Sequence, residues 1–215
     1  MFREISIISL IVCMAAVIIH SIKVSLKKRK TNRHIGIIRK ITYLFTLLSI
    51  DKRGNAKRHL RKLFYLACLC CLTGLATTAF YQKWFKNENL TGFFLVVHVS
   101  LGGVFAACLS AVIVMSAHNN RFNKNYLPSL AKIFHFQTDS GPPADRYEFI
   151  RKILFWLLIV LSFPLFLSVI LAMFKFFGTE WQRFLEEVHR YTALIFLEAA
   201  IFHTYFFIRA KMNTV

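Results

Sequence analysis

Residues 91–117 read TGFFLVVHVSLGGVFAACLSAVIVMSA, a run that contains no Asp, Glu, Lys or Arg. About 20 apolar residues suffice for a helix to cross a bilayer, and this run is longer. Irregular backbone cannot face lipid, because every N–H and C=O there must be paired within the segment, so the run predicts a helix. Its polar landmark is His98. An ionisable group at membrane depth is costly and marks function by default.

Working outward from that stretch, four more apolar runs are long enough to span, at residues 5–24, 63–81, 153–177 and 184–208. The fold class is therefore all-α: an integral membrane helix bundle of five spans that will not fold as a soluble domain. Composition agrees, since 56% of the chain is hydrophobic, against roughly half in a soluble domain. The net charge of +18 resembles that of a nucleic-acid binder at first sight. The charges lie between the apolar runs, however, and not along an amphipathic face, so the partner is membrane lipid and no nucleic acid is expected. Cys13, Cys68, Cys70, Cys71 and Cys108 all sit in apolar runs and read as buried thiols, with neither a disulfide framework nor a zinc site favoured. No C-x-x-C-H occurs, so no c-type haem is attached covalently.

Orientation follows from the cations. The segment 23–62 holds 14 Lys and Arg against one acid, Asp51; the loop 118–152 holds six more, and the tail adds Arg209 and Lys211. With five helices threaded, 22 of the 28 basic residues fall on one side, which the positive-inside rule assigns to the cytoplasm. The protein is then a multi-pass protein of a bacterial inner membrane, with its N-terminus periplasmic and its C-terminus cytoplasmic. Arg3 ahead of an apolar core resembles a secretory signal, but no small-residue cleavage site follows, so an uncleaved anchor is favoured. The organisation expected is an anchor helix at 1–24, a basic cytoplasmic segment at 25–58 and a four-helix domain at 59–215. Apolar clusters at 35–38, 43–48 and 130–134 suit helices lying on the membrane surface. Gly141-Pro142-Pro143 breaks the chain before the fourth span, and Pro164 is expected to kink that span.

Four histidines carry the chemistry. His189 and His203 lie fourteen residues apart on the fifth span, which puts them about 40° apart around the helix and about 21 Å apart along it. His98 enters its span at the level of His189, and His59 stands at the mouth of the second span at the level of His203. Two imidazole pairs at two depths suit two irons in haem, bound between facing helices. A His on both axial positions leaves no open coordination site and favours electron transfer. Gly102, one turn after His98, removes bulk where a porphyrin approaches, and Gly74 is a candidate for the same service. Taken singly, each His would serve equally as an interhelical hydrogen-bonding group. His118, Asn119 and Asn120 close the third span and are candidates for a quinone headgroup or an interfacial cap. Glu180, Glu186 and Glu187 are candidates for a docking face or a solvated loop.

The stretch from His59 to Ile208 resembles the membrane cytochrome b subunit of respiratory formate dehydrogenases (the gamma subunit), with its relatives in hydrogenases and thiosulfate reductases. The carrying elements are Arg58-His59 and Thr73-Gly74; Phe94 to His98 with Gly102; His118-Asn119-Asn120; Lys152 to Trp156; Val188-His189-Arg190; and His203-Thr204-Tyr205. The resemblance implies a four-helix dihaem core, to which this chain adds one N-terminal transmembrane helix. It implies two haem b, one on His98 and His189 and one on His59 and His203. It implies electron transfer between a periplasmic iron–sulfur or cytochrome c protein and menaquinone or ubiquinone, within a complex of other subunits. No site for a soluble substrate is expected in the chain itself. The quinone-contacting loop of those relatives carries an Asn and a Gly; the matching segment here, 147–151, has neither. The rival expectations are a haem-free anchoring or assembly subunit, and a transporter. The latter would show paired, broken half-helices, and no such internal symmetry is visible.

Overall fold

A computed structural model describes residues 2–29, 56–122, 143–174 and 178–213, and all regular structure among them is helical. The long helices are α1 (Phe2–Arg29), α2 (Ala56–Tyr81), α3 (Gly92–Ser116), α4 (Pro143–Met173) and α5 (Thr179–Asn213). A π-helical turn, Gln82–Lys86, continues α2, and a short 3₁₀ turn, His118–Asn120, follows α3. Each of the five long helices contains a segment long and apolar enough to cross a membrane. Their surfaces agree with that reading. Val114 is 80% exposed, Phe93 76% and Phe163 69%. Large apolar side chains exposed along helices of this length suit a hydrocarbon surrounding.

The helices run beyond the apolar runs that announce them. α2 begins at Ala56 and carries His59 inside its first turns, and α5 begins at Thr179. α4 opens at Pro143, ten residues before its apolar run, so residues 147–151 are helical here. Proline suits a helix start, where its missing N–H has no partner to lose. Ion pairs one turn apart support these polar extensions: Glu148 with Lys152, and Glu180 with Arg183. Pro164 lies inside α4, which continues through it. The expected surface clusters at 35–38, 43–48 and 130–134 lie outside the described residues.

The chain forms two compact units, Met1–Ser116 and Ala117–Val215. In the first, α2 and α3 pack as an antiparallel pair. The π turn ends on Asn87, whose left-handed φ of 54° turns the chain, and Gly92 starts α3 at φ 57°. Tyr81 meets Phe94 across that turn, with ring centroids 5.5 Å apart. Gly74 lets α3 come close, since a Cβ at that position would stand 2.9 Å from Leu101 Cδ1. α1 joins this unit through Ser6, which is fully buried and accepts a 3.0 Å hydrogen bond from Trp84 Nε1. Ile8, Ile11, Ile18 and Ile22 on the same helix stay exposed to lipid. In the second unit α4 and α5 pack against each other, with Phe149, Phe155, Leu165, Leu185, Leu194 and Phe196 buried.

None of the five cysteines is in a disulfide. Cys13, Cys68 and Cys71 are buried as expected, but Cys70 is exposed. Adjacent residues on a helix point about 100° apart, so Cys70 and Cys71 cannot share one buried face.

Candidate functional site

His98 lies on the second turn of α3, half-buried against α2. Its Nδ1 is 2.9 Å from Thr78 Oγ1. The single hydroxyl proton of Thr78 has acceptors in its own helix, the carbonyls of Gly74 at 2.9 Å and Leu75 at 3.0 Å. With that proton on one of those carbonyls, the hydroxyl oxygen is the acceptor and Nδ1 of His98 the donor. That tautomer puts the lone pair of the ring on Nε2.

His189 is arranged in the same way in the other unit. Its Nδ1 lies 3.2 Å from the backbone carbonyl of Leu165 and 3.5 Å from Ser168 Oγ, both on α4. A carbonyl only accepts, so Nδ1 carries the proton and Nε2 again carries the lone pair. Ser168, nearly fully buried, donates its own proton to Leu165 O at 3.0 Å. Imidazoles that bind metal through one nitrogen regularly donate from the other to a carbonyl or an oxygen partner, which sets both tautomer and ring angle.

His203 is buried on α5 between two aromatic rings. Phe155 of α4 and Phe207 one turn further along each have their centroid 6.4 Å from the imidazole. Beyond Phe207 lies Arg151, its guanidinium carbon 5.8 Å from the ring centroid. The α4–α5 unit thus presents two imidazoles along one helix, each held by α4. His59 is half-buried near the start of α2.

Gly102 sits one turn beyond His98, and a Cβ there would meet nothing within 4 Å, nor would one at Gly103. The missing Cβ at Gly102 thus leaves room on α3 beside His98. Gly74 is placed otherwise, in contact with Leu101 between α2 and α3. His118 and Asn119 are exposed, whereas Asn120 is buried and its carbonyl accepts a 3.0 Å hydrogen bond from Trp156 Nε1. Glu186 is engaged with Arg190 on the turn beside His189, and Glu187 is exposed.

These donors fit haem b. A haem iron would be held by neutral imidazole nitrogen, and the hydrogen bonds on Nδ1 leave Nε2 available in that form at His98 and His189. Among the described residues no three of His, Cys, Asp and Glu converge on one point, which a protein-held metal ion would require. The partners of the two imidazoles were invisible in the sequence analysis. One signal was available: Thr78 precedes His98 by 20 residues and Ser168 precedes His189 by 21. In an antiparallel helix pair with a short turn, such spacings bring both residues to one level.

Residues 61–212 match the family described as prokaryotic cytochrome b561. No curated protein and no solved structure matches the chain.

Proposed function

The chain belongs to the prokaryotic cytochrome b561 family, whose members are membrane haem b electron-transfer proteins, and from that premise we propose that it carries electrons through two haem b groups as the membrane-anchor subunit of a respiratory redox complex. The observation that carries the proposal is the pair of hydrogen bonds from Nδ1 of His98 and His189 to oxygens on the preceding helix. They prepare two imidazoles to offer Nε2 to one iron, and the second haem rests on the placement of His59 and His203 in the sequence. His98 and His189 are assigned to one haem, and His59 and His203 to the other, from the depths at which the sequence sets them.

Each haem supplies reversible one-electron chemistry, its iron alternating between the ferric and ferrous states. The residues of the chain do the rest. The four imidazoles would hold the two haems, and a His on both sides of each iron would favour electron transfer over oxygen chemistry. Thr78, Ser168 and the Leu165 carbonyl hold the ring angles and place the proton of each neutral imidazole on Nδ1, which leaves Nε2 for ligation. Phe155 and Phe207 keep water from His203. The proposed partners are a periplasmic iron–sulfur or cytochrome c protein on one side and menaquinone or ubiquinone on the other. The expected docking face is the end of α5 with Glu180, Glu186 and Glu187, and the quinone is expected near the haem on His203, with His118, Asn119 and Asn120 in its vicinity.

A visible spectrum of the purified chain, before and after dithionite, tests the reading together with a haem count per chain. Two b haems are expected. Absence of b-type absorbance would reject the proposal and leave the haem-free anchor. His203→Ala should remove one haem and retain the other. Loss of both, with the protein still folded, would reject the assignment of separate pairs.

A further inference from the structure

The α4–α5 unit buries more charge than two apolar helices need for packing. Lys152 is 6% exposed and Arg209 5%. Lys152 Nζ pairs with Glu148 Oε1 at 3.2 Å, and Arg209 Nε donates to Tyr205 Oη at 3.1 Å. Arg151 is satisfied less well. Its terminal nitrogen stands 4.0 Å from the same Glu148 oxygen, beyond hydrogen-bond length, and its buried Nε has no acceptor among the described residues. The Arg151 side chain is 23% exposed, but its Nε is buried, and a buried charged donor without an acceptor is unfavourable, so this atom calls for an acceptor.

The position of Arg151 identifies the class of that partner. The guanidinium lies over Phe207, and Phe207 stacks on His203 at an interplanar angle of 28°. One aromatic ring therefore separates the unpaired donor from a proposed iron ligand. Haem carries its iron at the centre and two carboxylates on one edge. A planar guanidinium recognises carboxylate better than any other side chain, through parallel N–H donors. We infer that Arg151 anchors the carboxylate edge of the haem held by His203, beside Lys152 and Glu148. The inference rests on the reading of His203 as a haem ligand. The shared chemistry, an oxyanion at the end of the helix pair, would also be supplied by a phospholipid headgroup.

Arg151 is then a positioning residue with an electrostatic signature. A cation beside the carboxylates offsets their charge at the iron. Without it, the negative charge favours the ferric state, and the midpoint potential of that haem falls. The test uses the full chain in bilayer discs of neutral phosphatidylcholine, and in discs containing anionic phosphatidylglycerol. Wild type, Arg151→Gln and Arg151→Lys are compared by haem count and redox titration. The haem that is lost in His203→Ala identifies the relevant wave. Arg151→Gln should shift its reduction equilibrium about tenfold toward the ferric form, which is ~59 mV for a one-electron couple. The other haem should not move, Arg151→Lys should restore at least half the shift, and lipid charge should not matter. If Arg151→Gln fails to retain the haem, Arg151→Lys decides: retention at close to the wild-type potential supports the anchor, and loss overturns it.

An unchanged potential in Arg151→Gln, or a shift confined to the other haem, overturns the inference. A shift seen only with phosphatidylglycerol reassigns the acceptor to a lipid headgroup and overturns it too. A wild-type chain without haem removes the premise, whereas two haems with an insensitive Arg151 remove only this inference.

Discussion

Replacing Thr78 by Val keeps the shape of the side chain and deletes one oxygen. In the wild type that oxygen accepts the Nδ1–H of His98 at 2.9 Å. A neutral hydrogen bond contributes about 0.5–1.5 kcal/mol net, and a buried donor left without an acceptor costs about 1–3 kcal/mol. His98 is half-buried, so the low end applies, about 1–1.5 kcal/mol, or roughly five- to tenfold in the equilibrium for ligation. Measured effects of removing such partners of metal-bound His, about 10–100-fold, overlap that range at its upper edge. The assay is transfer of haem from the detergent-purified protein to an excess of apomyoglobin, followed by absorbance. Thr78→Val should release one haem about five- to tenfold faster and leave the second unchanged. Thr78→Ser keeps the hydroxyl and should behave as wild type. Identical release from Thr78→Val and wild type would refute the reasoning, because the hydrogen bond would then have no part in holding the ligand.

Other expectations follow from the same geometry. Ser168→Ala should weaken haem retention less than Thr78→Val, under about threefold, because the Leu165 carbonyl at 3.2 Å remains as acceptor; an effect larger than that of Thr78→Val in the same transfer assay would show that the hydroxyl is the principal partner. Gly102→Leu places its side chain in open space and favours the helix, so protein yield should hold while haem per chain falls; a full haem complement would show that no porphyrin lies along that face. Ser6→Ala removes the hydroxyl that accepts from Trp84, at a cost of about 1 kcal/mol, and should increase protease access at the end of α1 with the haem spectrum unaltered. A changed spectrum would tie α1 to the haem sites.

Hydropathy alone set the class of this protein, its five spans and three of its four candidate ligands. Lipid is a solvent that acts on each residue separately, so a run such as 91–117 declares its environment without reference to any other part of the chain. The same logic isolates His98, His189 and His203, because an imidazole in an apolar run stands out by itself. Helix ends were less legible. α4 starts ten residues before its apolar run because Pro143 and the Glu148–Lys152 pair hold a helix in the polar zone, where hydropathy gives no signal. The π turn after Tyr81 and the outward face of Cys70 were hidden for a related reason, since both depend on backbone winding and not on composition. What tertiary structure alone decided is which atoms face the imidazoles. Thr78 reaches His98, and the Leu165 carbonyl reaches His189, only through the register of two antiparallel helix pairs. Register is set by turn geometry and by close contacts such as that of Gly74 with Leu101, which are relations between distant residues.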